Sequence, residues 1–187
     1  AVLDCCAAPG GKSFVMAERM WGKGSVISCD IYEHKLKRIR AAAARLGLPN
    51  IRTTLQDAAA PRADWVGTAD VVLCDVPCSG FGIIRKKPEI RYKDPAGLEE
   101  LPALQAAILQ NCARYVRPGG TLVYSTCTIL RRENEDVVRA FLEHNADFAA
   151  VPWAHPVCGA RKDGMATLLP PVHDTDGFFI AKLRRNA

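Results

Sequence analysis

Apolar residues along this 187-residue chain come in short dense runs, each closed by glycine, proline or an acid. Residues 1–5, 25–30, 51–55, 71–74, 121–125, 148–151 and 177–183 read as seven strands. Between them, residues 12–21, 32–46, 98–116 and 133–143 read as helices, the second stopped by Gly47 and Pro49 and the third by Pro118-Gly119-Gly120. Strand and helix alternate, which predicts an α/β domain with a Rossmann-like sheet and helices on both faces. Residues 152–176, with prolines, His155, His173 and few apolar runs, read as a long loop. No repeat, low-complexity tract or second-domain boundary interrupts residues 1–187, so one domain with a core of its own is expected.

Open α/β sheets bind ligands outside the carboxyl ends of their strands, so the residues there carry the chemistry. The run Val71-Val72-Leu73-Cys74 passes into Asp75-Val76-Pro77-Cys78-Ser79-Gly80, where Pro77 removes the donor that a longer strand would need. A carboxylate and a thiol are left at that edge, although alone they read equally as a strand cap and a buried cysteine. Asp30 ends the second strand and Asp57 follows the third. One acid at a strand end is commonly a helix cap, whereas Asp30, Asp57 and Asp75 together form a constellation. The fifth strand runs into Thr126-Cys127-Thr128 and brings a second thiol to the same edge.

The turn after the first strand is Cys6-Ala7-Ala8-Pro9-Gly10-Gly11-Lys12, small enough for backbone to approach a ligand. Its adjacent glycines exclude G-x-G-x-x-G, and a P-loop would need glycine where Cys6 stands. A nucleoside with a carboxylate-bearing tail suits such a turn opening a helix. Asp30, about 20 residues on, stands where an acid pairs with ribose hydroxyls in nucleotide-binding folds. Residues 80–95 interleave Arg85, Lys86, Lys87, Arg91 and Lys93 with Phe81 and Tyr92, a loop suited to phosphates and base stacking, or else simply solvated.

Composition narrows the class. Hydrophobic and charged fractions of 49% and 24% are those of a soluble globular protein. A net charge of +5 and a pI near 8.8 lean toward a polyanionic partner. With no apolar run near the roughly 20 residues of a membrane span and no signal peptide, a cytoplasmic protein is expected. Eight cysteines occur without a C-x-x-C pair, and the histidines are scattered, so reduced thiols and no metal are expected. The chain opens at Ala1, inside a strand-like run and without Met, which suggests a piece of a longer protein.

With Cys6-Ala7-Ala8-Pro9-Gly10-Gly11-Lys12, Asp75-Val76-Pro77-Cys78-Ser79-Gly80, Thr126-Cys127 and the closing Asp176-Gly177-Phe178-Phe179 in order, the chain resembles the RsmB/Nol1/Nsun family of RNA cytosine-5 methyltransferases. The stretch from Ile84 to Tyr92 is most similar to the branch acting on bacterial 16S rRNA. The resemblance implies a seven-stranded methyltransferase sheet with its last strand antiparallel, S-adenosylmethionine as methyl donor and small-subunit rRNA as partner of a monomer. It further implies that Cys6, Ala7, Ala8, Pro9, Gly10, Gly11 and Lys12 wrap the methionine part of the donor, with Asp30 at the ribose, Asp57 by the adenine and Asp75 near the reacting centre. The family's RNA-binding region and the start of its catalytic domain would precede Ala1. Cys5 departs from the aliphatic residue usual there.

The chemistry explains why such residues are needed. Carbon 5 of cytosine is a poor nucleophile until a thiolate adds to carbon 6, so the reaction needs a thiolate, an acid near ring nitrogen 3 and a route for elimination. The residues themselves do not rank the two thiols, because in DNA cytosine-5 methyltransferases the Pro-Cys thiol attacks. The resemblance implies Cys127 as nucleophile and Cys78 in product release, with basic surroundings or Lys12 expected to lower the Cys127 pKa from about 8.5. Two alternatives compete. An exocyclic-amine methyltransferase would present an acid or Asn, Pro-Pro and an aromatic where Asp75-Val76-Pro77-Cys78 stands, and an RNA-binding scaffold without catalysis would not need two thiols and three acids.

Overall fold

The computed structural model describes residues 1–94 and 96–187; Pro95, which ends the expected basic loop, lies outside the described residues. The first half of the chain gives β1 (Val2–Asp4), α1 (Gly11–Arg19), β2 (Val26–Asp30), α2 (Glu33–Arg45), β3 (Ile51–Leu55) and β4 (Ala69–Asp75). The second gives α3 (Leu101–Ala113), β5 (Val116–Thr126), α4 (Glu135–His144), β6 (Phe148–Ala150), β7 (Trp153–His155), β8 (Gly159–Arg161), β9 (Met165–Leu168), α5 (Pro170–His173) and β10 (Phe178–Arg185).

The main sheet has the order β3-β2-β1-β4-β5-β10-β6, parallel through β5, with β10 antiparallel to both neighbours. The chain moves outward from β1 to β3 and then restarts at β4 on the other side of β1. The carboxyl ends of β1 and β4 therefore flank the crevice at which such sheets bind ligands. Side chains alternate across each strand, so every second residue faces the same layer. Val72, Cys74, Leu122 and Tyr124 go to the layer of α3 and α4, packing with Ile108, Leu109, Val138 and Phe141. The opposite face carries α1 and α2, through Val2 and Val26 against Ala17 and through Ala7 against Leu36 and Ile39. In the larger core the sulfurs of Cys5, Cys74 and Cys112 lie within 4.8 Å of one another, where the thiols serve as small apolar groups.

The expected α/β sheet with its antiparallel last strand is present, and the departures have local causes. Residues 152–176 are not a plain loop: β7 and β8 pair as a hairpin, and β9 runs beside Phe178–Ala181 of β10 while β6 takes its far half. These strands are three or four residues long and mostly at the surface, so they need no apolar run to announce them. The third helix stops at Ala113 rather than residue 116, because Val116 already pairs with Ala69. Pro118-Gly119-Gly120 then bulges out of the ladder, whose register resumes at Val71 opposite Thr121. The fourth helix starts at Glu135 after a 3₁₀ turn at Arg131–Glu133, and the basic loop contains a 3₁₀ turn at Pro88–Tyr92. Among the described residues no helix is long and apolar enough to cross a membrane.

Candidate active site

The turn after β1 is shaped by Gly10, whose φ of 109° is open to glycine and whose added Cβ would lie 2.6 Å from the Phe14 ring. That geometry lets α1 start at Gly11 directly over the end of β1. Beneath the turn, Asp4 accepts a hydrogen bond from Ser13 Oγ at 2.6 Å, and Ser13 in turn accepts from Ser28 Oγ at 2.7 Å. Asp4 is buried with its Oδ1 unpartnered, and burial, opposed by the Ser13 bond, pushes its carboxyl up to about 6.

Two clefts meet at Cys6. One, of about 240 Å³, is lined by Asp4, Cys6, Ala7, Ala8, Pro9, Gly11, Lys12 and Asp75. The other, of about 370 Å³, falls in the size range of small-molecule sites and has Asp30 and Asp57 in its wall beside Tyr32, Ala58, Pro77 and Leu104. Asp30 is buried, accepts the Tyr32 N–H at 3.0 Å and has Lys35 at 3.6 Å, while exposed Asp57 accepts the Ala59 N–H at 2.9 Å. Carboxylates for hydroxyl and amine groups, an apolar wall and a glycine turn are a donor set that fits a nucleoside carrying an amino-acid tail. The three strand-end acids thus share the sheet edge but not one cavity, Asp75 standing in the smaller cleft.

The thiols meet because of strand register. Asp75 of β4 pairs with Ser125 of β5, and the Val76 N–H donates to the Ser125 carbonyl at 3.1 Å, so Cys78 and Cys127 leave adjacent strand ends only two or three residues later. Their sulfurs lie 3.2 Å apart, and the Cys127 N–H donates to Cys78 Sγ at 3.3 Å. Both side chains are half-buried, within reach of solvent. Asp75 accepts from Ser125 Oγ at 2.6 Å and from Lys12 Nζ at 2.6 Å.

That pairing makes the two thiols unlike. The Cys78 thiol donating to Cys127 favours a thiolate there and brings Cys127 down to about 7, against burial and the Asp75 charge. The same interaction, followed by burial, pushes Cys78 well up. Lys12, expected from the sequence to supply this activation, contributes less than Cys78, because its ammonium is already paired with Asp75.

Three residues around the site escaped sequence reasoning. Asp4 was within reach of it, since the strand-end rule that picked out Asp30 applies equally to the acid closing β1. Ser125 reads only as a strand residue until register sets it against Asp75. Glu133, fully buried behind the thiols, gave no signal among the charged residues that open the fourth helix.

Comparison with known proteins adds the lineage. The sequence profile described as 16S rRNA methyltransferase RsmB/F matches residues 1–184. The Bacillus subtilis protein named "Probable ribosomal RNA small subunit methyltransferase B" is 45% identical over 98% of this chain and 43% of its own length. The ribosomal RNA small subunit methyltransferase F of Escherichia coli O6:H1 is 35% identical over 98% of this chain and 40% of its own. NSun6 from Pyrococcus horikoshii, solved with SFG, superposes with a TM-score of 0.85 at 30% identity, covering all of this chain and 48% of that one. The chain spans less than half the length of these relatives.

Proposed function

The chain belongs to the 16S rRNA methyltransferase RsmB/F family, and from that membership we propose that it methylates carbon 5 of a cytosine in small-subunit rRNA. S-adenosylmethionine, when bound, supplies an electrophilic methyl group on a sulfonium. Asp30 and Asp57 would hold its nucleoside in the larger cleft, and the turn from Cys6 through Ala7, Ala8, Pro9, Gly10 and Gly11 to Lys12 would hold its amino-acid end in the smaller.

Cys127 acts as the nucleophile. Its thiolate adds to carbon 6 of the base, forming a C–S bond and moving the ring electron pair toward carbon 5, which makes that carbon reactive. Asp75, with the Lys12 ammonium 2.6 Å away, shares a proton with ring nitrogen 3 and the amino group as charge moves through the ring. After the methyl group has joined carbon 5, its donor leaving as a neutral thioether, solvent takes the carbon-5 proton, the C–S bond breaks, and the Cys78 thiol stabilises the departing sulfur through its contact with Cys127. The base must leave its stack to reach the thiols, so an unpaired or extruded cytosine is the target form. The loop of Arg85, Lys86, Lys87 and Arg91 with exposed Tyr92 supplies phosphate contacts and a stacking surface beside the site.

The observation that carries this reading is the 3.2 Å pair of unlike thiols beside an ion-paired acid on neighbouring strand ends. An exocyclic amine needs no thiol, and a scaffold needs no split in thiol acidity. In the full-length protein, Cys127→Ala abolishes methyl transfer, whereas Cys78→Ala leaves a covalent RNA adduct that survives a denaturing gel. Methylation persisting in Cys127→Ala would refute the proposal.

A further inference from the structure

Behind the two thiols lies a carboxylate that the reaction does not touch. Glu133 is fully buried, and among the described residues it has no cationic partner. Burying such a group without a counter-charge costs stability, so its position calls for a reason other than packing. We propose that Glu133 is a positioning residue, whose carboxylate locks the loop bearing Cys78 against the loop bearing Cys127 so that Cys78 is the donor and Cys127 the attacker. The attacking role rests on the cytosine-5 reading; the lock itself does not.

The contacts bracket both cysteines. Glu133 Oε2 accepts the Ser79 N–H at 2.8 Å and the Gln105 side-chain amide at 2.9 Å, and that amide also donates to the Pro77 carbonyl at 2.9 Å. The residues on either side of Cys78 are thus tied to one Glu–Gln pair. The next residue, Asn134, does the same for Cys127, accepting from Thr126 Oγ1 at 2.6 Å and donating to the Thr128 carbonyl at 3.1 Å. Two cross-ties join the halves: Ser79 Oγ meets Thr128 Oγ1 at 2.8 Å, and Tyr124 OH donates to the Glu133 carbonyl at 2.6 Å. Lys93 Nζ takes the last polar group of Ser79, its carbonyl, at 2.7 Å. With Ser79 wholly buried and every polar group engaged, the separation of the two sulfurs is set from this network rather than by the thiols themselves.

The test reads thiol reactivity in the full-length protein without RNA or methyl donor, so a protein that methylated nothing would still answer it. Iodoacetamide alkylation of Cys127 and Cys78 is followed against pH by peptide mass spectrometry, in wild type, Glu133→Gln, Glu133→Ala and Gln105→Leu, with melting temperatures alongside. Wild type alkylates Cys127 with a midpoint near pH 7 and spares Cys78. Glu133→Gln keeps an acceptor for Ser79 and stays close to wild type. Glu133→Ala raises the Cys127 midpoint by about one pH unit, a roughly tenfold loss of thiolate at neutral pH, and exposes Cys78 to alkylation. Gln105→Leu, a milder cut in the same tie, moves both in the same direction and serves if the alanine variant does not fold. Lowered melting with an unshifted profile in the variants that fold, or Glu133→Gln falling as far as alanine, overturns the proposal.

Discussion

Two thiols 3.2 Å apart need not titrate alike, because only one of them can donate to the other at a time. A thiol that donates holds its proton and a thiol that accepts gives its proton up, so with Cys78 donating the Cys127 thiol comes down to about 7 while Cys78 is pushed up. A residue scale away, Asp4 carries the opposite kind of perturbation. Burial raises its carboxyl from 3.8 to about 6, so in the folded protein it keeps a proton that the unfolded chain has already lost. The stability this provides is complete below pH 3.8 and is lost as pH rises through about 6. Asp4→Asn removes that dependence, and relative to wild type the variant gains stability between pH 4 and pH 7, by at most about 3 kcal/mol. Urea unfolding of both proteins at the two pH values checks it, and a constant difference would contradict the assignment. Asp4 also shows how sequence reading falls short: an acid at a strand end is visible in a sequence, but the Ser13 and Ser28 hydroxyls that surround it are set by three-dimensional packing.

At the scale of elements, the site depends on one close approach. Gly82 donates its N–H to the Cys127 carbonyl at 3.0 Å and accepts from the Gly177 N–H at 2.7 Å, bridging the end of β5, the entry to β10 and the basic loop. Lys86 reinforces the bridge by pairing with buried Asp176 at 2.5 Å. A Cβ at Gly82 would lie 2.0 Å from the Gly177 carbonyl oxygen and 2.8 Å from that of Cys127, backbone atoms that cannot swing away. Gly82→Ala therefore costs about 3 kcal/mol or displaces the loop. A lowered melting temperature with faster proteolysis in residues 80–94 is the expected result; wild-type melting and wild-type proteolysis would count against the bridge. The sequence marks residues 80–95 as basic and glycine-bearing, and Asp176-Gly177 as a motif, yet it says nothing of their meeting, since nearly a hundred residues separate them. Strands β1, β2 and β4 were readable because burial on both faces demands apolar runs. β7, β8 and β9 were not, being only three or four residues long, and neither was the early start of β5, where Pro118-Gly119-Gly120 reads as a stop but forms a bulge.

For the whole molecule, the strand order does the assembling. Placing β1 between β2 and β4 gathers the glycine turn and the strand-end acids on one edge, and placing β5 beside β4 adds the second thiol. That convergence was legible once strands were counted and the fold class recognised, because parallel strands put all their carboxyl ends together. The difference between the thiols was not, since it depends on a sulfur-to-sulfur contact that only the folded chain brings about. The most direct test of the account uses the full-length protein with its methyl donor and an RNA substrate carrying 5-fluorocytosine, whose carbon-5 fluorine blocks the final elimination. Peptide mapping of the trapped product should place the RNA on the sulfur of Cys127, with Cys78 free. An RNA attached to Cys78, or no covalent product from a protein that methylates unmodified RNA, would contradict it.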